Sequence, residues 1–213
     1  MKTIAFTLFA FLLSICVSAQ SSTEARKILD KAVQSYEQSS GVTIAFKAST
    51  TEKGGVSYNE SGTAKFKGNK FMLQMKSIDV WFDGKTQWVL MKDANEVNIS
   101  TPTEQEIAAI SPLALLGMYK NGFTLKVPVS KTINGKNVDM IEMQPSGNNK
   151  EFKTVSVAVD KKTNTVVEVN LTMKNESKTK IDINSYNPNY KFTDADFVFN
   201  KNSYPKAEVI DLR

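Results

Sequence analysis

The sequence predicts an α+β fold: an incomplete antiparallel β-barrel, a strongly curved half-barrel of about ten or eleven short strands with helices covering its open mouth. Three observations carry this reading. Most of the chain alternates apolar and polar residues with a period of two, an Asp83-Gly84 turn separates two apolar runs, and only a few stretches place apolar residues at helical spacing. That many short strands curl rather than stay flat, and an amphipathic helix beside them buries its stripe across the mouth.

The N-terminus comes first in that order. Lys2 is followed by an apolar run from Ile4 to Val17 and then by Val17-Ser18-Ala19, the pattern of a secretory signal peptide over residues 1–19 that is cleaved after Ala19. The run is too short to span a bilayer. Cys16, the only cysteine, lies inside it and follows Ile15, where a lipidated cysteine needs a small residue, so it reads as an ordinary leader residue. The mature chain is then a soluble, disulfide-free single domain over residues 20–213, without a linker or repeat.

Lys plus Arg number 27 against 22 Asp plus Glu, a net charge of +5, and losing Lys2 leaves 26 − 22 = +4. The lysines are scattered over turns and strand faces, which argues against a nucleic-acid partner. Histidine is absent, and that excludes a Ser-His-Asp triad, a Cys-His dyad, an imidazole-bound zinc and a histidine base. Asp194 and Asp196 sit in a turn-like Thr-Asp-Ala-Asp run and read as capping or solvated residues. With no other spaced carboxylates, the chain reads as a non-enzyme without cofactor or metal.

Along the mature chain, Ala25, Ile28, Leu29, Ala32, Val33 and Tyr36 form one helical stripe between Ser21, which with Glu24 makes a capping box, and Ser40-Gly41. Strands follow at Val42 to Ala48, Thr63 to Phe66, Phe71 to Met75, and in the hairpin of Ile78 to Phe82 with Trp88 to Met91. Pro102-Thr103 open a broken helix, Glu104 to Ile110 and then Pro112 to Tyr119. The two-residue period returns in Phe123 to Val127, Val138 to Met143, Phe152 to Val159, Val166 to Met173 and Lys180 to Asn184. Phe192 to Phe199 reads as a short strand and Tyr204 to Arg213 as an edge-hugging tail. In the hairpin, a three-residue loop ending at Gly84 sets Trp88 beside Ile78, whereas a two-residue loop sets it beside Asp79. The first is preferred because it gathers Ile78, Val80, Trp88 and Leu90 on one apolar face.

The order of these features resembles the LolA-type periplasmic carriers of outer-membrane lipoproteins, in the wider LolA/LolB/RseB-like superfamily. The resemblance rests on the leader, the Ala25 to Tyr36 helix, Gly62-Thr63-Ala64-Lys65-Phe66, Asp83-Gly84-Lys85-Thr86-Gln87-Trp88, Ser111-Pro112-Leu113-Ala114-Leu115-Leu116 and Phe197-Val198-Phe199, and spans essentially the whole mature chain. It implies a monomeric periplasmic chaperone whose apolar hollow takes the acyl chains of lipoproteins from an inner-membrane lipoprotein-releasing ABC transporter and passes them to an outer-membrane receptor. A sensory or regulatory module of the same fold, binding a lipid or an envelope signalling protein, is the alternative. Carriers of this kind usually latch the lid with a basic residue followed by proline after the second strand. Here the place reads Lys67-Gly68-Asn69-Lys70, leaving Lys67 or Lys70 for that role without the arginine fork.

A carrier must shield its cargo yet surrender it. Exposing a palmitoyl-sized chain costs on the order of 10 kcal/mol at about 0.8 kcal/mol per methylene. Adaptable apolar walls meet that need. Under the resemblance, the walls are Phe46, Phe66, Phe71, Leu73, Ile78, Val80, Trp88, Leu90 and Met140, and the lid contributes Ile110, Leu113 and Leu116.

Overall fold

The structure, a computed structural model, describes residues 22–111, 115–117, 119–120, 122–147, 149 and 151–213. The leader with Cys16, the Ser21 half of the capping box, and Pro112, Leu113 and Met118 lie outside the described residues. Helix α1 covers residues 22–37 and turns its stripe inward, with Ala25 and Leu29 fully buried.

Thirteen strands form one sheet, curved and unclosed. The first half is an antiparallel meander: β1 (Val42–Thr51), β2 (Ser57–Lys67), β3 (Lys70–Met75), β4 (Ile78–Phe82), β5 (Gln87–Met91) and β6 (Glu96–Ser100). Helix α2 (Glu104–Ile110) and a helical turn at 115–117 interrupt it. The second half is β7 (Phe123–Leu125), β8 (Val129–Ile133), β9 (Lys136–Pro145), β10 (Phe152–Asp160), β11 (Val166–Met173) and β12 (Lys178–Pro188). β12 returns to pair with β1, so the strand order is β6-β5-β4-β3-β2-β1-β12-β11-β10-β9, with β7 and β8 both on β9. The chain then crosses the outer face, and β13 (Glu208–Asp211) joins the far edge parallel to β6.

Three expectations change here. The sheet has thirteen strands because β6 and β8 also pair and the tail supplies β13. The segment expected as a strand from Phe192 to Phe199 instead holds a 3-10 turn, Asp194–Phe197, whose Thr193 amide and hydroxyl donate to Asp196 at 2.8 and 2.9 Å. The β4–β5 hairpin takes neither weighed register. Trp81 lies opposite Trp88, and Gly84, at φ +99°, and Lys85 form the two-residue turn. Asp83 shifts the register: its carboxylate accepts from the amides of Lys85 and Thr86 at 2.9 and 2.8 Å, while its own amide donates to the Thr86 carbonyl. The loop therefore sits one residue later than Asp83-Gly84, and each β4 residue pairs two positions further along β5 than that loop would set.

Gly62 lies between Phe46 and Met75 across the ladder, and a Cβ there would sit 2.6 Å from the Gln74 carbonyl oxygen and 2.9 Å from the Phe46 ring. Backbone cannot yield cheaply. Gly62→Ala is expected to lower stability by about 1–3 kcal/mol, measured as a shift of the urea midpoint at unchanged slope.

Candidate functional site

The two faces of the sheet are built differently. The inner face, beneath α1 and α2, gathers Phe46, Phe66, Phe71, Leu73, Val80, Phe82, Ile141, Met143 and Phe152 into one apolar cluster, with Ile78 packed at its margin. Its aromatics form a ladder along the strands, Phe66 to Phe71 at 6.3 Å and Phe71 to Phe82 at 5.2 Å between ring centres. Of the expected wall, Phe46, Phe66, Phe71, Leu73, Ile78 and Val80 lie on this face, and of the expected lid, Ile110 and Leu116 pack against it.

Trp88, Leu90 and Met140 are corrections. Trp88 and Leu90 belong to the outer face with Trp81, Met72 and Val97, because their ladder partners Trp81 and Asp79 point outward. Met140 packs outside with Val138, Ala158 and Val167, and its neighbours Ile141 and Met143 face in. Phe82, Phe152 and Met143 were missing from the expected wall. Phe82 continues the alternation of Ile78 and Val80, and Met143 that of Ile141, whereas Phe152 is out of phase with Val155 and Val157 and faces inward because the ladder shifts register between Phe152 and Thr154.

The lid pieces cover this face with aliphatic and aromatic side chains. Thr103 caps α2 through a reciprocal box with Glu106, and the Thr103 amide and hydroxyl donate to the Glu106 carboxylate at 2.7 and 2.8 Å, holding that carboxyl below its ordinary range. Beyond it, Leu115, Leu116 and Tyr119 are buried in the inner cluster. The Tyr119 hydroxyl donates to the Asp30 carboxylate of α1, and Arg26 lies 5.9 Å above the Tyr119 ring. Burial, followed by that carboxylate, pushes the phenol upward. The two covers are thus tied to each other at this bond.

Lys67 and Lys70 tie down a different element. Lys67 Nζ donates to the Phe192 carbonyl at 2.9 Å, and Lys70 Nζ lies 3.0 Å from Asp194. These bonds join the β2–β3 turn to the segment crossing the outer face, so the expectation that these lysines latch the lid is corrected: among the described residues their bonds go to residues 192 and 194. The same turn holds α1 through the Tyr36 hydroxyl, which donates to the Gly68 carbonyl at 2.5 Å.

On the outer face, Trp81 meets Phe199 at 5.5 Å and Tyr204 at 5.7 Å, and Asp79, 3% exposed, lies 2.8 Å from Lys92 Nζ beneath them. The segment that covers this side is held by carboxylates that ionise below their usual range. Lys70 lowers Asp194, the Thr193 amide lowers Asp196, and the Arg213 guanidinium brings Asp211 to about 2. A carboxyl depressed by folding stabilises above its unfolded pKa of about 3.9, and that contribution is lost as pH falls through the folded value. Acidification from pH 5 toward 2 is therefore expected to loosen residues 192–213 and change the emission of Trp81 and Trp88, followed by fluorescence titration.

Among the described residues there is no cluster of three or more Asp, Glu, His or Cys able to hold a metal, and no helix long and apolar enough to cross a membrane. The inner wall is apolar and covered, with Phe46, Phe66, Phe71 and Leu73 at 8% exposure or less beneath the helices.

Comparison with known proteins agrees with this geometry. A profile of the family described as outer membrane lipoprotein carrier protein LolA matches residues 15–189. Among solved structures, an uncharacterized conserved protein from Thermus thermophilus is similar with a TM-score of 0.60 at 10% identity, over 88% of this chain and 99% of that one. A LolA superfamily protein from Nitrosomonas europaea gives 0.47 at 10% identity over 82% and 97%, respectively. MucB in the Pseudomonas aeruginosa MucA/MucB complex gives 0.43 at 8% identity over 88% and 63%. No curated protein matches the sequence.

Proposed function

The chain belongs to the LolA family of outer membrane lipoprotein carriers, and from that premise we propose that it is a periplasmic carrier that shelters the acyl chains of lipoproteins against the inner face of its sheet. One observation supports this above others: the inner wall is an aromatic and aliphatic surface roofed by α1, α2 and the helical turn at 115–117 rather than by a second sheet. Such a roof moves while the hydrogen-bonded wall stays.

In the form described, Leu115, Leu116 and Tyr119 occupy the space over the wall, at 2% exposure or less. Loading requires their displacement, and the acyl chains then replace them against Phe66, Phe71 and Leu73. Exchange of one apolar partner for another keeps the net free energy small, so cargo is both held and released. The proposed route runs from an inner-membrane ABC transporter to an outer-membrane receptor.

The test is release of acylated lipoprotein from spheroplasts. The purified protein is expected to bring labelled lipoprotein into the soluble fraction as a one-to-one complex, and a lipoprotein without acyl chains is expected to be ignored. Soluble complexes that form equally with the non-acylated protein refute the reading and favour a protein-binding regulator.

The Tyr119–Asp30 bond sets the opening step. A hydrogen bond to a charged partner contributes about 1.5–3 kcal/mol, and Tyr119→Phe removes it while keeping the ring. The variant is expected to load a dansylated acyl lipopeptide severalfold faster with little change in saturation, measured by stopped-flow fluorescence.

A further inference from the structure

A second feature opens where α1 ends its cover. A groove of about 920 Å³ runs between the C-terminal half of α1, the turn at residues 163–165, and the ends of β11 and β12. Its floor includes Val166, Ile183 and Tyr186, side chains that belong to the inner apolar cluster or pack against it. Its walls are polar: Lys31 and Gln34 come from α1 and Gln38 from the turn that follows it, while Lys136 at the start of β9 and Asn164 in the turn before β11 stand opposite. Apolar floor and polar rim are thus continuous with the inner face rather than separate from it.

The charge at this rim is one-sided. Lys31 and Lys136 line the groove, while no aspartate or glutamate lines it. Neither lysine takes part in an ion pair or side-chain hydrogen bond with any described residue, although Lys53, Lys67, Lys70, Lys92, Lys161 and Lys180 all have carboxylate partners. The side chains of Gln34, Gln38 and Asn164 likewise have no hydrogen-bond partner among the described residues, leaving amide donors free beside the two ammonium groups. Two unpaired cations with amide donors above an apolar floor match a ligand that joins an anionic head to a hydrocarbon chain.

We propose that this groove binds an anionic acyl amphiphile, with its phosphate or carboxylate at Lys31 and Lys136 and its chain passing over Ile183 and Tyr186 onto the inner face. The site goes beyond lipoprotein carriage, since a lipoprotein's acylated end carries no phosphate. Phospholipid and fatty acid share the recognised chemistry, and the experiment distinguishes them.

The probes are short-chain phosphatidylglycerol below its micelle concentration, phosphatidylcholine of the same chains, palmitate, and glycerophosphoglycerol, which has the head alone. Each is titrated into the full chain by calorimetry. Phosphatidylglycerol is expected to bind saturably at one site, at least tenfold tighter than phosphatidylcholine and far tighter than the chainless head. Palmitate binding as tightly assigns a carboxylate ligand, and weaker palmitate assigns the phosphate, each within the proposal. Both lysines are exposed, so K31Q/K136Q is expected to keep the wild-type melting temperature and lose tenfold or more of the phosphatidylglycerol affinity, with intermediate losses in K31Q and K136Q. Equal affinity for the two phospholipids, equal binding by the glycerophosphoglycerol head, or an unchanged double variant overturns the site. Loading of an uncharged triacylated lipopeptide is expected to survive in K31Q/K136Q, which separates failure of this site from failure of the carrier reading.

Discussion

Leu116→Glu is expected to expel the lid segment while the sheet stays folded. Leu116 is 2% exposed within the inner cluster, and an unpaired carboxylate there costs several kcal/mol against the closed form. The segment around residues 115–119 can escape that penalty by swinging out, because among the described residues it is tied to the inner face by side-chain packing, the Tyr119 bond to Asp30 and Arg26 over the Tyr119 ring rather than by a strand ladder. Far-UV circular dichroism is expected to keep its β signal while binding of an apolar dye to the exposed wall rises severalfold. Loss of the β signal together with the dye response contradicts this, and makes the helical segment a fixed part of the core.

Phe71→Ala carries the other large effect. Phe71 is 2% exposed and stands between Phe66 and Phe82, with its β3 backbone paired on both sides. With its strand paired on both sides, Phe71 cannot be replaced by a neighbour moving in, so the truncation leaves a cavity, with an expected loss of about 3–5 kcal/mol. Chemical denaturation measures it. The contrast between the two variants is the physical content of the carrier reading: the wall is stiff and the roof is replaceable.

Local chemistry made much of this architecture legible. The bounds of α2, Glu104–Ile110, follow from Thr103 and Glu106, whose reciprocal bonds fix its start. β11 runs over Val166–Met173 as its alternation requires. Register was less legible. Asp83 closes its turn with its carboxylate, and a shift in ladder parity carried Trp88 and Leu90 to the outer face. Met140 fell on the wrong side for the related reason that Val138 to Met143 is apolar on both faces near its ends, and only pairing of Met143 with Val155 identifies the inner set.

Long-range pairing was the least accessible. β6 holds only Val97 and Ile99 as apolar residues in Glu96–Ser100, and it is secured by β5 on one side and by β13 from the far end of the chain on the other. The function of Lys67 and Lys70 has the same origin. Their partners, Phe192 and Asp194, lie more than a hundred residues away in sequence, and local spacing offered no sign of them. Phe192, Phe197, Phe199 and Tyr204 then follow outer-face packing against Met72 and Trp81 instead of a strand ladder.

The most direct measurement uses a lipopeptide whose acyl chain carries a diazirine, irradiated in complex with the protein and mapped by mass spectrometry. Covalent labels are expected on Phe46, Phe66, Phe71, Leu73 and Leu116. Labels confined to Trp88, Leu90 or Met140 on the outer face, or spread without preference, contradict acyl-chain binding between the wall and its roof.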